Sequence, residues 1–287
     1  MENILVLGGT GNIGFPLVEY LDSKDNVQIT VGVHNMAKGQ FKFQQFDHVK
    51  VCHFDFLDSS TFEEAFDGVT KVFFVRPPQL ANPKVDMLPF LKFAEKKQIK
   101  QTVFVSLFGV EKNPMTPHHK IEQMILDLNL PYTFIRPSFF MQNLNTTHQE
   151  DIQKNHDLFI PAGNSRTSFI DTRDIADVAG IALLDPKYLN QKLNITGPKA
   201  LSYDEVAKIM SKILDTKITY SKPSLLKFRK TMLKRGLKKD YVNVMVMLYL
   251  ITQLGNAKTV TNDAGKILGR EPRNIQTYIQ DYKDSFI

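Results

Sequence analysis

Short, continuous apolar runs alternate with amphipathic stretches through the first half of the chain. The first run is Ile4-Leu5-Val6-Leu7, and others follow at 27–33, 49–54, 71–75, 102–106 and 132–136. Runs this short, rich in Val, Ile and Phe, are those of strands covered on both faces, as in a parallel sheet. The stretches between them, starting with 12–21, carry helical periodicity, so the half reads as successive strand–helix–strand units. Ser60-Thr61-Phe62-Glu63 has the capping-box spacing of a helix start. Residues 83–97 read as one helix with Leu88, Leu91 and Phe93 on its apolar side, kinked by Pro89.

The pattern changes after Pro137. Residues 138–159 are mixed and polar, and Ala162-Gly163-Asn164 reads as a turn. A helix follows at 171–184, with Asp171 and Asp174 as capping residues, then a last parallel strand at 192–195. From Ser202, where Ser202-Tyr203-Asp204-Glu205 repeats the capping-box spacing, helices run to about 214, 235, 254 and 268. The expectation is an α/β fold, a Rossmann-type doubly wound parallel sheet with a smaller, mostly helical C-terminal lobe. The nucleotide domain would span 1–197, with 137–170 contributing to the substrate cleft, and the lobe 198–287.

Composition narrows the function classes. With 287 residues, 43% hydrophobic and 23% charged, the chain has the make-up of an ordinary soluble domain. A net charge of +6 is small and reads as scattered, so no nucleic-acid partner is expected. The longest apolar stretch, 242–254, falls short of the roughly 20 residues that span a bilayer, so it reads as a buried helix and no membrane partner is expected. Met1-Glu2-Asn3 leads straight into a strand with no basic segment before it, which points to the cytoplasm. Cys52 is the single cysteine, expected buried and inert, and the spacing of His148 and His156 suggests no metal. The basic run 222–239 has Leu225, Leu226, Phe228, Met232 and Leu233 interleaved. It reads as an amphipathic helix with a solvated face, with an acidic partner as the alternative.

The chemistry concentrates at Gly8-Gly9-Thr10-Gly11-Asn12-Ile13-Gly14, directly after the first strand and opening a helix. Unpaired N–H groups and the helix dipole attract phosphate there, and glycine lets the backbone come close. Gly8, Gly11 and Gly14, with Thr10, Asn12 and Ile13, are therefore the expected holders of a dinucleotide pyrophosphate. The second strand ends Val33-His34-Asn35 without the acid that grips a ribose 2′-hydroxyl, and Lys38 follows. This favours NADP(H), with Lys38 and His34 near the 2′-phosphate, and leaves NAD(H) open. Asp55 at the end of the third strand is placed to accept from the adenine amino group. Phe74 and Arg76 end the fourth strand, before Pro77-Pro78, where a ligand crevice should lie.

With these residues in view, the sequence resembles the NmrA-like branch of the atypical short-chain dehydrogenases/reductases. The resemblance rests on the glycine turn, His118-His119-Lys120-Ile121-Glu122, and Pro131-Tyr132-Thr133-Phe134-Ile135-Arg136-Pro137 running into Phe140-Met141-Gln142-Asn143. It extends to Phe169-Ile170-Asp171-Thr172-Arg173-Asp174-Ile175-Ala176 and the closing Leu268-Gly269-Arg270-Glu271-Pro272-Arg273. It implies a substrate cleft between the two parts and two kinds of relative. One kind comprises NAD(P)H-dependent reductases of quinones, triphenylmethane dyes and azo compounds. The other binds the dinucleotide without turning it over and regulates a protein partner.

The Tyr-x-x-x-Lys pair common in short-chain dehydrogenases occurs only as Tyr20…Lys24 and Tyr188…Lys192, both misplaced, and no tyrosine lies between 107 and 130. The resemblance instead puts His118 at the reacting centre, where a histidine can hydrogen-bond a carbonyl oxygen or supply a proton. Phe139 and Phe140 would offer a flat apolar slot for a small-molecule acceptor. Asn143 either touches that acceptor or fixes a turn. The reading allows a homodimer.

Overall fold

The computed structural model describes residues 2–287, and the chain divides into two compact units. The first comprises residues up to Pro137 together with Thr172–Ile195, and the second Ser138–Asp171 with Thr196–Ile287. Strand and helix alternate in the first unit. β1 (Glu2–Leu7) leads to α1 (Gly14–Asp22), β2 (Val27–Val33) to α2 (Met36–Phe43) and β3 (Val49–His53) to the short α3 (Phe62–Ala65). β4 (Lys71–Val75) precedes α4 (Pro83–Asp86) and α5 (Leu88–Lys96), β5 (Gln101–Val105) precedes α6 (Pro117–Asp127), and β6 (Tyr132–Pro137) follows. After α7 (Gln149–Asn155) and β7 (Arg166–Ser168) of the second unit, the chain returns with α8 (Thr172–Leu184) and β8 (Gln191–Ile195).

All seven strands of the first unit lie parallel in the order β3-β2-β1-β4-β5-β6-β8, the Rossmann-like sheet expected from the apolar runs. Ile4, Leu5 and Val6 are fully buried, as strands covered on both faces require. One face is packed largely with phenylalanine. Phe74 stacks on Phe104 with centroids 4.7 Å apart and meets Phe90 edge-on at 5.2 Å. On the other, α1 and α8 pack so closely that a Cβ on Gly180 would sit 2.2 Å from the Tyr20 ring. Tyr20 is thus a packing residue, and Lys24 Nζ lies 4.5 Å over its ring.

Two helix starts differ from expectation. Residues 83–97 form two helices broken at Met87, with Pro89 in the first turn of the second. Proline has no N–H to continue the first helix, and its ring collides with the preceding turn, so it begins a helix instead of kinking one. Phe90, Leu91 and Ala94 accordingly form the buried side, with Leu88 only half-buried. The Ser60 capping box does not form either. Asp58 accepts both the Ser60 N–H at 3.0 Å and the Ser60 hydroxyl at 2.7 Å, which ties up the serine in a tight turn.

The second unit adds β9 (Ala200–Ser202), α9 (Tyr203–Leu214), α10 (Leu225–Lys234), α11 (Lys239–Gln253), α12 (Asp263–Leu268) and α13 (Ile275–Asp281). Strands β7 and β9 pair antiparallel over three residues each, a small sheet too short to show as a pattern in sequence. The second capping box is realised: Ser202 Oγ accepts the Glu205 N–H, and the Glu205 carboxylate accepts the Ser202 N–H. His148 is buried with Nε2 2.6 Å from the Tyr249 hydroxyl, beside an Asp151–Arg235 fork of 2.6 and 2.8 Å. Among the described residues no helix is long and apolar enough to cross a membrane.

A buried ion pair joins β6 to α6. Arg136 donates from Nε to Glu122 at 3.0 Å and from Nη2 at 2.5 Å, with both side chains less than a tenth exposed, and its Nη1 reaches Glu111 at 3.2 Å. Removing one member leaves the other charge buried, which costs about 3–5 kcal/mol, whereas an apolar pair of similar volume is close to neutral. Arg136→Met should therefore lower the urea-unfolding free energy by about that amount. Adding Glu122→Met should restore most of it; no recovery in the double variant would refute this reading.

Candidate functional site

The strand order turns back at β1 and β4, with β2 and β3 on one side and β5, β6 and β8 on the other. Ligands of open parallel sheets sit beyond the carboxyl ends at such a point. The glycine turn occupies it. Gly8 has φ of +86°, a conformation that suits glycine, and its carbonyl accepts the Gly11 N–H at 3.0 Å. At Gly14 a Cβ would lie 2.2 Å from the Gly8 oxygen and 2.6 Å from the Gly9 Cα. The first turn of α1 therefore rests directly on the end of β1, and a side chain there is excluded.

Ile13 is the N-cap of α1, and its aliphatic side chain, buried in the core, has no oxygen to cap the helix with. Helix N-termini normally find an oxygen for their leading N–H groups. Here no side chain supplies one: the Phe15 N–H turns to the Gly11 carbonyl at 3.0 Å, Pro16 has no N–H, and exposed Thr10, Gly11 and Asn12 surround the end. That arrangement fits a pyrophosphate, which would bring the missing oxygens and a charge suited to the dipole.

Lys42 is a contributor that sequence reasoning passed over. Its Nζ donates to the Thr10 carbonyl at 2.7 Å and lies 4.5 Å from the Phe15 ring centroid, so a cation from α2 is fastened to the turn. In sequence it is one lysine among many; only the return of α2 across the sheet edge brings it here.

At the neighbouring strand ends, His34 is exposed and its Nδ1 lies 3.5 Å from the Asp55 carboxylate. Asp55 also accepts the Leu57 N–H at 2.9 Å, so these two expected contacts are brought together. Lys38 is exposed in the first turn of α2, its N–H held by the Asn35 cap at 3.0 Å. Beyond β4, Arg76 Nη1 donates to the carbonyls of Pro77, Pro78 and Leu80 at 2.8–3.1 Å. The guanidinium thus holds the Pro77-Pro78 loop closed, while its Nε is buried with no partner. Phe74 differs from expectation. It is wholly buried between Phe104 and Phe90, and its side chain offers no surface to a ligand.

Thr116 caps α6 by accepting the His119 N–H at 3.3 Å, and Pro117 fills the first turn, which sets His118 at the helix start. The His118 ring stacks on Phe104, centroids 5.9 Å apart and planes 19° from parallel. Burial, with the Arg76 guanidinium as a second cause, pushes its pKa down to about 3. The imidazole is therefore neutral near pH 7, which favours the hydrogen-bonding role expected for it over that of proton donor. His119 Nδ1 is 3.2 Å from the Val110 carbonyl, a structural tie. Ser106, just past β5, has a buried hydroxyl with no protein partner. Strand alternation puts it on the Phe104 side. Its signal was a hydroxyl at the carboxyl end of a strand, read only as strand.

Phe139, Phe140 and Asn143 belong to the second unit. Phe139 is half-buried with its ring 6.4 Å from Tyr249, and Phe140 bridges in parallel to Ile170. The Asn143 backbone carbonyl accepts the His148 N–H at 3.0 Å.

Comparison with known proteins follows the same lines. The NmrA-like family matches residues 1–279. The NAD(P)H azoreductase of Xenophilus azovorans is 29% identical over 291 residues, covering 99% of each chain. Prestalk A differentiation protein A of Dictyostelium discoideum is 27% identical, covering 97% of this chain and 92% of its own. Among solved structures, an NADPH-dependent quinone oxidoreductase of Escherichia coli complexed with NADPH superposes with a TM-score of 0.87. It is 19% identical and covers 98% of this chain and 99% of its own.

The imidazoles set a pH dependence. Burial holds His118 at about 3 and His148 at about 4, so both stay neutral in the fold, whereas in the unfolded chain they protonate near 6.5. The unfolded chain then binds more protons as pH falls, and stability held above 6.5 is lost progressively towards pH 4. In proton NMR, neither imidazole should titrate between pH 8 and about pH 5. An inflection near 6.5 assigned to His118 would contradict its placement.

Proposed function

The chain belongs to the NmrA-like family, and from that premise we propose that it is an NAD(P)H-dependent oxidoreductase, passing a hydride to a small, flat, electron-poor acceptor such as a quinone or an azo or triphenylmethane dye. The observation that carries the reading is the uncapped start of α1 on the tight glycine turn, a seat for a pyrophosphate. The names of its relatives, an azoreductase and a quinone oxidoreductase among them, favour the same chemistry.

Thr10, Asn12, Ile13 and Gly14 would present backbone N–H groups to the pyrophosphate, with Gly8 and Gly11, joined N–H to carbonyl, shaping the turn and Lys42 keeping it in place. His34 and Lys38 favour NADP(H), since Asp55, the carboxylate nearby, is turned toward His34. When bound, the dinucleotide supplies the hydride. The chain must then hold an acceptor and steady the charge that develops on it. A neutral His118, backed by Phe104, can donate a hydrogen bond to the acceptor's oxygen or nitrogen, and the Ser106 hydroxyl is free to bond. Phe139 and Phe140 offer apolar faces suited to a flat ring.

The test is NADPH oxidation, followed at the nicotinamide absorbance band, with a panel of quinones and dyes. Acceptor-dependent oxidation is expected. His118→Ala should lower turnover roughly tenfold, the worth of one hydrogen bond, and leave NADPH affinity nearly unchanged. Nucleotide binding with no oxidation across the panel would instead make the chain a dinucleotide-dependent regulator of a partner.

A further inference from the structure

The positive charge of this protein is concentrated, not scattered. Between residues 225 and 260 there are eight lysines and arginines against one aspartate, a net of +7, while the whole chain carries +6. The rest of the molecule is therefore close to neutral. This segment holds the α10–α11 pair, and only Lys258 of the eight lies beyond it.

The same pair displays apolar side chains to solvent. Along α11 and its end, Tyr241, Val244, Met247, Leu250 and Leu254 recur every three or four residues and are 40–71% exposed. Leu226 on α10 is 80% exposed. Buried partners on each helix, Phe228 and Met232 on one and Val242, Met245 and Tyr249 on the other, anchor the pair to the core of its unit. The exposed side chains are therefore not needed for folding. Arg229 Nε donates to Asn243 Oδ1 at 3.1 Å, which stitches the two outer faces together. Lys227, Lys230 and Lys234 line α10 in the open, and Lys238 and Lys239 stand at the start of α11.

We propose that the α10–α11 face docks this protein onto an anionic membrane surface, lying in the interface without crossing it. Neither charge nor apolar area alone would point there. An apolar stripe rimmed by lysines matches the layering of a leaflet, acyl chains beneath phosphate. A second copy is disfavoured by symmetry, because a two-fold contact sets the same patch against itself and would face its lysines with lysines. Nucleic acid would use the lysines but leave Met247, Leu250 and Leu254 without a role. This assignment departs from the solvated face and the absent membrane partner expected from sequence, and it does not depend on the oxidoreductase reading.

The test is co-sedimentation of the full chain with vesicles of phosphatidylcholine alone or with about one third phosphatidylserine. Binding is expected only to the anionic vesicles, and should weaken as salt rises. Removing Lys227, Lys230 and Lys234 together as glutamines should weaken it roughly a hundredfold, about fivefold for each charge. Leu250→Asp with Leu254→Asp should also abolish it, and both variants should keep the wild-type melting temperature because the changed side chains are exposed. Failure to bind anionic vesicles, or undiminished binding by the leucine variant, would overturn the proposal. So would a concentration-dependent dimer dissolved by the leucine changes, or tighter binding to a short DNA duplex.

Discussion

The candidate site hangs on one close approach, between the start of α1 and the end of β1. With no side chain at Gly14, the helix sits on the Gly8 carbonyl at a distance that no Cβ could share. That contact aims the leading N–H groups past the carboxyl edge of the sheet, at the point where strand order reverses. Ile13 gives its side chain to the core and none to the cap, so the helix end stays in want of an anion. Lys42 fixes the turn from outside. The rest of the site, from His34 to His118, is arranged around this seat by strands whose register the buried apolar runs determine.

The second level of order is electrostatic. Arg136 and Glu122 hold β6 and α6 together in a two-pronged pair, and both belong to the segments that carry the family resemblance. His118 opens the same helix, so the pair positions it without touching it. Phe104 under the ring and Arg76 nearby then keep the imidazole uncharged. Under the proposed function, a neutral hydrogen-bonding group beside an apolar wall would bond the acceptor without adding a fixed charge near the nicotinamide.

The strands were legible because each is a run covered on both faces, and the glycine turn because its spacing reflects sterics within seven residues. Features that depend on contacts across the chain were not. Lys42 reaches the turn only through the crossing of α2, and Ser106 reads as one more strand residue until its hydroxyl is seen without a partner. Phe74 sits at the edge where ligands bind, yet packing against Phe104 and Phe90 takes it inward. Pro89 and Ser60 show local signals losing to local competitors, a proline's missing N–H and the nearer oxygen of Asp58. The excursion 138–171 carries no clear period, because its buried residues serve the core of the second unit. The charge balance averaged over the chain hides an uneven distribution, since residues 225–260 alone carry a net of +7.

The central claim is that the turn holds a nicotinamide dinucleotide. Titration of the unmodified protein with NADPH and with NADH, followed by nicotinamide fluorescence, tests it most directly. The account predicts saturable binding of NADPH, tighter than that of NADH. No binding of either nucleotide would contradict it, leaving the uncapped helix without the ligand its geometry calls for.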